Sequence, residues 1–227
     1  MILFSLSMVM LTASAYFLSR KLYSRLPHPL LVPIVTSTAA IILVLLLLNI
    51  PYSSYMAGGK LIDIWLGPAV VALAFPLYRY RSTLFAYFAP VIAGILIGTV
   101  VGIVSGVYLS LLFRVDLELI LSLAPKSVTT PVAMSISEGI GGIPPLAAVY
   151  VMCAGISGAM FGPPLLKVLR IRDSVAAGIG LGAASHGIGT AKALELGELE
   201  GAASSISMSL SALFAALLCP IIISIIL

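Results

Sequence analysis

Uncharged apolar runs long enough to cross a bilayer recur along this chain of 227 residues and leave little room for anything else. They cover Met1 to Ser19, Leu30 to Ile50, Ser82 to Phe113, Gly139 to Leu166 and Gly201 to Leu227; Leu61 to Tyr78 is a sixth, with only Asp63 near one end. A helix needs about 20 consecutive apolar residues to span the hydrocarbon core. Only 9% of the residues are charged, where a soluble domain carries about 25%. The expected fold is therefore an all-α polytopic membrane protein, a single transmembrane domain over residues 1–227 with about six spanning helices.

Basic residues set the expected orientation, because short cytoplasmic loops are enriched in Lys and Arg. No basic residue precedes the first apolar run, and Arg20, Lys21 and Arg25 follow it. That order is the reverse of a cleaved signal peptide, so the first run reads as a retained helix with its N-terminus outside. With Arg79, Arg81, Lys167, Arg170, Arg172 and Lys192, nine basic residues then face the cytoplasm, against Lys60, Arg114 and Lys126 outside.

This orientation constrains what lies between the runs. Residues 115–142 must enter and leave on the outer side, and residues 173–200 must enter and leave on the cytoplasmic side. Two opposed broken or re-entrant segments are thus expected, as in transporters built from inverted repeats, whose interrupted helices mark the binding site. Irregular backbone at that depth is tolerated only inside protein or along a wet cavity.

Each segment carries one copy of a near-repeat, Ser137-Glu138-Gly139-Ile140-Gly141 and Ser185-His186-Gly187-Ile188-Gly189. Gly139, Gly141, Gly187 and Gly189 are the expected helix breaks. Charging Glu138 at bilayer depth costs about 2.5–3.5 kcal/mol, so there it needs a cation, a proton or a wet cavity, and a proton-coupling role follows. The alternative places Glu138 near the surface, at the mouth of the re-entrant loop. His186 titrates near neutrality when unperturbed, and it is the second candidate for coupling. With Ser185 and Thr190 it also offers hydrogen-bond donors to a carboxylate or hydroxyl.

Lys126-Ser127-Val128-Thr129-Thr130-Pro131 reads as a helix start, with a Ser or Thr cap and Pro in the first turn. A helix N-terminus buried in the membrane presents N–H donors and partial positive charge to an anion. Lys126 adds a full charge. The expected substrate-binding set is Lys126, Ser127, Thr129, Thr130, Ser137, Ser185, His186 and Thr190. An ordinary interfacial cap with a snorkelling lysine is the bland alternative.

Other features read as structural. Gly94, Gly98, Gly102 and Gly106 make a smooth stripe suited to close helix packing within the chain, or else to a subunit interface. Gly67-Pro68 and Gly162-Pro163-Pro164 mark bends. His28, between two prolines, is loop. Cys153 and Cys219 sit in apolar helices, where a structural disulfide is not expected. No nucleotide loop, metal-ligand spacing or Ser-His-Asp set is present, so no enzyme, cofactor or metal is expected, and no face is polar enough for nucleic acid.

At these residues the chain resembles the LrgB/CidB family. Pro125 to Pro131, Glu138-Gly139-Ile140-Gly141-Gly142, Phe161-Gly162-Pro163-Pro164 and Ser185-His186-Gly187-Ile188-Gly189-Thr190 carry the likeness, and Tyr52 to Gly59 with Leu66-Gly67-Pro68-Ala69 extend it into the first half. The resemblance implies two functions. One is an antiholin-like regulator of murein hydrolase export and lysis, acting with a small LrgA/CidA-type membrane partner. The other is transport, as in the plastidic glycolate/glycerate transporter and bacterial relatives linked to pyruvate uptake. Opposed broken helices with amide ends and a lysine favour the second: an inner-membrane carrier for small 2-oxo or 2-hydroxy monocarboxylates such as pyruvate, glycolate or glycerate. A homo-oligomer stays open.

Overall fold

The computed structural model describes residues 2–72 and 74–227 and is helical, with no strand among them. The chain divides into two compact units, residues 1–72 and 73–227. Five helices are long and apolar enough to cross a membrane, Leu3–Arg25, Tyr52–Arg79, Phe88–Leu112, Pro144–Val168 and Glu198–Ile226, and Pro33–Leu47 is a shorter apolar one. The helical, polytopic membrane architecture read from the apolar runs is the one observed.

The first unit holds α1 (Ile2–Arg25), α2 (Pro33–Leu47), α3 (Tyr52–Asp63) and α4 (Leu66–Ala72). Gly58 lets α3 lie against α1, since a Cβ there would stand 2.5 Å from the Ser5 carbonyl oxygen and 2.6 Å from Met8 Cβ. Thr12 and Tyr55 share a 2.9 Å hydrogen bond across the same contact.

The second unit comprises α5 (Ala74–Arg79), α6 (Arg81–Ala86), α7 (Phe88–Leu112), α8 (Leu117–Leu123), α9 (Thr130–Gly139), α10 (Pro144–Val168), α11 (Ser174–Leu196) and α12 (Glu198–Ile226). The long helices α7 and α12 pack on each other as a frame, and α10 packs against α8, α9 and α11. Two buried clusters fill its opposite ends. One joins Ile103 and Val107 of α7 and Ala215, Cys219 and Ile223 of α12 to Ile120, Ala124, Val128 and Ala133. The other joins Val91 and Ile95 of α7 and Ala202 and Ala203 of α12 to Val175. Each end of the frame is thus packed by one of the two interrupted segments.

Both segments double back. The first is interrupted over residues 124–129, between α8 and α9. The chain then comes back beside the end of α8, where the Ile143 amide donates to Ser122 Oγ at 2.7 Å. In the second, Ser185 (φ −138°, ψ 17°) and His186 (φ 41°, ψ −132°) leave helical geometry in the middle of α11. The packing of α11 on α12 shows a reversal there. Gly178 meets Glu200 and Ala203, and Gly182 meets Ser204 and Ser207, so contacts climb α12 along the first half. Thr190 then meets Ser204, and Leu194 meets Gly201, so they descend it along the second half. Residues 174–196 are a hairpin of two half-helices with both ends at the start of α12.

The glycine stripe of α7 faces both hairpins. A Cβ on Gly94 would touch Ile179 at 3.7 Å and one on Gly98 would touch Ala183 at 3.4 Å, whereas one on Gly102 would touch Ser127 Oγ at 3.5 Å. Gly106 lies against Leu123 and Lys126. The stripe is therefore occupied within the chain. The two hairpin tips, Ala183 and Ser127, reach α7 from its two ends and come to rest one turn apart, about 6 Å along the axis.

Candidate functional site

The site is built where the tips meet. Ser127, Val128 and Pro125 of the first tip and Ala183 of the second line a small hollow with Thr99 and Ile103 of α7 and Ser211 and Ala215 of α12. Its volume is about 10 Å³, room for one water at most.

Lys126 lies at the first tip, and its Nζ donates to the Gly102 carbonyl at 2.9 Å. Gly102 is near the middle of the 25-residue α7, so the ammonium sits at the depth of the tips rather than at a helix end. Gly106 makes room for it, since a Cβ there would meet Nζ. Among the described residues no carboxylate pairs with Lys126; the ion pairs are Arg79–Glu198 and Lys192–Glu195. An ammonium has three N–H donors, of which Gly102 takes one.

Prolines bound this tip. Pro125 withdraws a backbone N–H just past α8, while Ala124 before it stays helical (φ −50°, ψ −46°). Pro131 sits in the first turn of α9, where its missing N–H costs nothing. Between them Thr129 is extended (φ −65°, ψ 148°). Thr129 stands at the N-cap of α9, but its hydroxyl makes no capping hydrogen bond. This corrects the expectation of a Ser or Thr cap, since the residue at the cap position leaves the first-turn amides of α9 without a side-chain acceptor. Ser127 and Thr130 are half-buried beside it.

The second tip is polar and buried. His186 Nε2 is 3.0 Å from the Val151 carbonyl oxygen of α10. Thr190 Oγ1 donates to the His186 carbonyl and pairs with Ser204 Oγ, each at 2.9 Å. Gly155 and Gly158 of α10 admit the break: a Cβ on Gly155 would stand 2.8 Å from the His186 ring, and one on Gly158 would collide with Ser185 Oγ. His186 holds a positive φ of 41°, a strained state for a side chain with a Cβ, and such states persist where surrounding packing over-determines them.

The predicted residues divide between tip and rim. Lys126, Ser127, Thr129 and Thr130 gather at one tip, and Ser185, His186 and Thr190 at the other. Ser137 is fully buried but packs against Gly142 at the turn into α10. Glu138 is exposed near that same turn, eight residues beyond Thr130 and so about 12 Å along α9; the fold does not bring it to His186. The glycines also act differently from one another. Gly141 supplies a positive φ of 87° in the rim turn, and Gly139 has open space where its Cβ would be. In the second copy the non-helical torsions fall on Ser185 and His186, not on Gly187 or Gly189; Gly189 instead allows the two half-helices to close on each other at the Leu181 carbonyl. Two contributors were not anticipated. Thr99 and Ser211 line the hollow, yet each is one hydroxyl in a long apolar helix, which sequence alone gives no reason to single out.

A helical membrane protein with two hairpins converging halfway along its frame defines the class. Within that class the chain belongs to the LrgB-like family, whose profile matches residues 12–225. It is 46% identical to YxaC of Bacillus subtilis (strain 168), over 95% of this chain and 94% of that one. It is 35% identical to the holin-like protein CidB of Staphylococcus epidermidis (strain ATCC 12228 / FDA PCI 1200), over 95% of this chain and 94% of that one. Identity to the holin-like protein CidB of Staphylococcus aureus (strain N315) is 36%, over 96% of each. No solved structure matches the chain.

Proposed function

We propose that this protein is a secondary carrier for small 2-oxo or 2-hydroxy monocarboxylates, held in the bacterial cytoplasmic membrane with its N-terminus outside. The observation that carries this reading is Lys126, an ammonium at mid-frame with no carboxylate partner among the described residues. A lysine at the centre of a bilayer costs about 2.5–3.5 kcal/mol, and an anion arriving at the tip offsets that cost. The uncapped start of α9 adds N–H donors of the right sign. Ser127, Thr129 and Thr130 contact the carboxylate from one tip, and Ser185 and Thr190 support the other. His186 is the group at site depth able to exchange a proton, while Glu138 serves the rim. Rocking of one hairpin against the frame would open the hollow to one side at a time.

Purified protein in proteoliposomes should take up labelled pyruvate or glycolate with saturation, with or without an LrgA/CidA-type partner. Absence of saturable flux in both preparations contradicts the carrier. A second reading, regulation of lysis without a substrate, is favoured by the holin-like name of the CidB relatives. It predicts unselective dye leakage or none, and no effect of pyruvate on either.

A further inference from the structure

We infer that Ser211 is the residue that recognises the second oxygen of the substrate, the 2-oxo or 2-hydroxy group beside the carboxylate; this rests on the carrier reading above. The starting point is a contrast among hydroxyls on one helix. A serine inside a helix ordinarily donates to a carbonyl three or four residues back. On α12, Ser205 donates to Gly201, Ser209 to Ser205 and Ser224 to Ile221. Ser207 donates to Ile179 of the second hairpin, and Ser204 pairs with Thr190. Ser211 is 1% exposed and its Oγ has no partner at all. It lines the hollow between the tips, with Ser127 and Thr99.

A buried hydroxyl left without a partner costs stability, and an alanine in its place removes that cost. Thr99 cannot act equally, since its hydroxyl already donates to Ile95 at 2.8 Å. A hydroxyl that can both donate and accept suits an oxygen that is a carbonyl in one substrate and an alcohol in another. The first tip then holds the carboxylate, and Ser211 on the frame reads the neighbouring atom.

The test compares Ser211→Ala with the parent in proteoliposomes, using labelled pyruvate and lactate uptake competed by propionate, which lacks the second oxygen. The parent should prefer the oxygenated acids by about tenfold, the usual weight of one well-made hydrogen bond. Ser211→Ala should lose that preference while propionate competes as before, and its melting temperature in detergent should stay level or rise. Unchanged preference in Ser211→Ala, or equal weakening of all three acids, overturns the assignment and leaves the carrier standing. No saturable uptake by the parent overturns both.

Discussion

Replacing Lys126 with methionine should reduce monocarboxylate uptake by about a hundredfold, in line with the loss of a charge-assisted hydrogen bond to a substrate anion. The stem of the side chain keeps its packing, and only the ammonium and its bond to Gly102 are removed. An unpaired charge at mid-bilayer costs stability, so Lys126→Met should melt no lower than the parent. Falling function at constant or rising stability is the mark of a group kept for its ligand. Lys126→Arg should not rescue uptake, because the room at Gly106 fits a single ammonium and a guanidinium is broader. Uptake within about threefold of the parent, a smaller change than one net hydrogen bond to a charged group gives, would show that Lys126 is a packing residue.

Gly158→Val should nearly abolish uptake from a position that touches no substrate. Its side chain would take the place of Ser185 Oγ and stand 2.5 Å from Ser185 Cβ. Serine is too short to swing aside, and overpacking of this kind costs about 1–3 kcal/mol, so the break at Ser185 and His186 must shift. Gly180→Ala is the control, since nothing lies within 4 Å of the added Cβ; it should transport normally. The readout is uptake alongside melting temperature. A Gly158→Val protein as active as Gly180→Ala would mean that the second tip need not hold its place.

The gross fold was legible because charge counting is a strong constraint in a membrane protein. Counting Lys and Arg led to the expectation that residues 115–142 and 173–200 are interrupted, and the structure breaks the first over residues 124–129 and the second at Ser185 and His186. The near-repeat of five residues was a poorer guide. Ser185 to Gly189 forms a tip, whereas Ser137 to Gly141 forms a rim turn, so the likeness of Glu138 to His186 in sequence is not a likeness in space. The first break lies between Pro125, which cannot continue the hydrogen bonding of α8, and Pro131, which starts α9, a signal present eight residues or more before the glycines. Ser211 and Thr99 stayed hidden because their role depends on which face of a long helix meets the hollow, and that is fixed by packing against both hairpins rather than by local pattern.

The most direct measurement is the rate of disulfide formation between Ser127→Cys and Ala183→Cys, with Cys153 and Cys219 replaced, in sealed membrane vesicles. Both positions line one hollow of about 10 Å³. The two thiols should bridge readily, pyruvate should slow the bridging, and propionate should slow it less. Thiols that never bridge, or that bridge at a rate indifferent to every acid, would contradict a substrate site enclosed by the meeting tips.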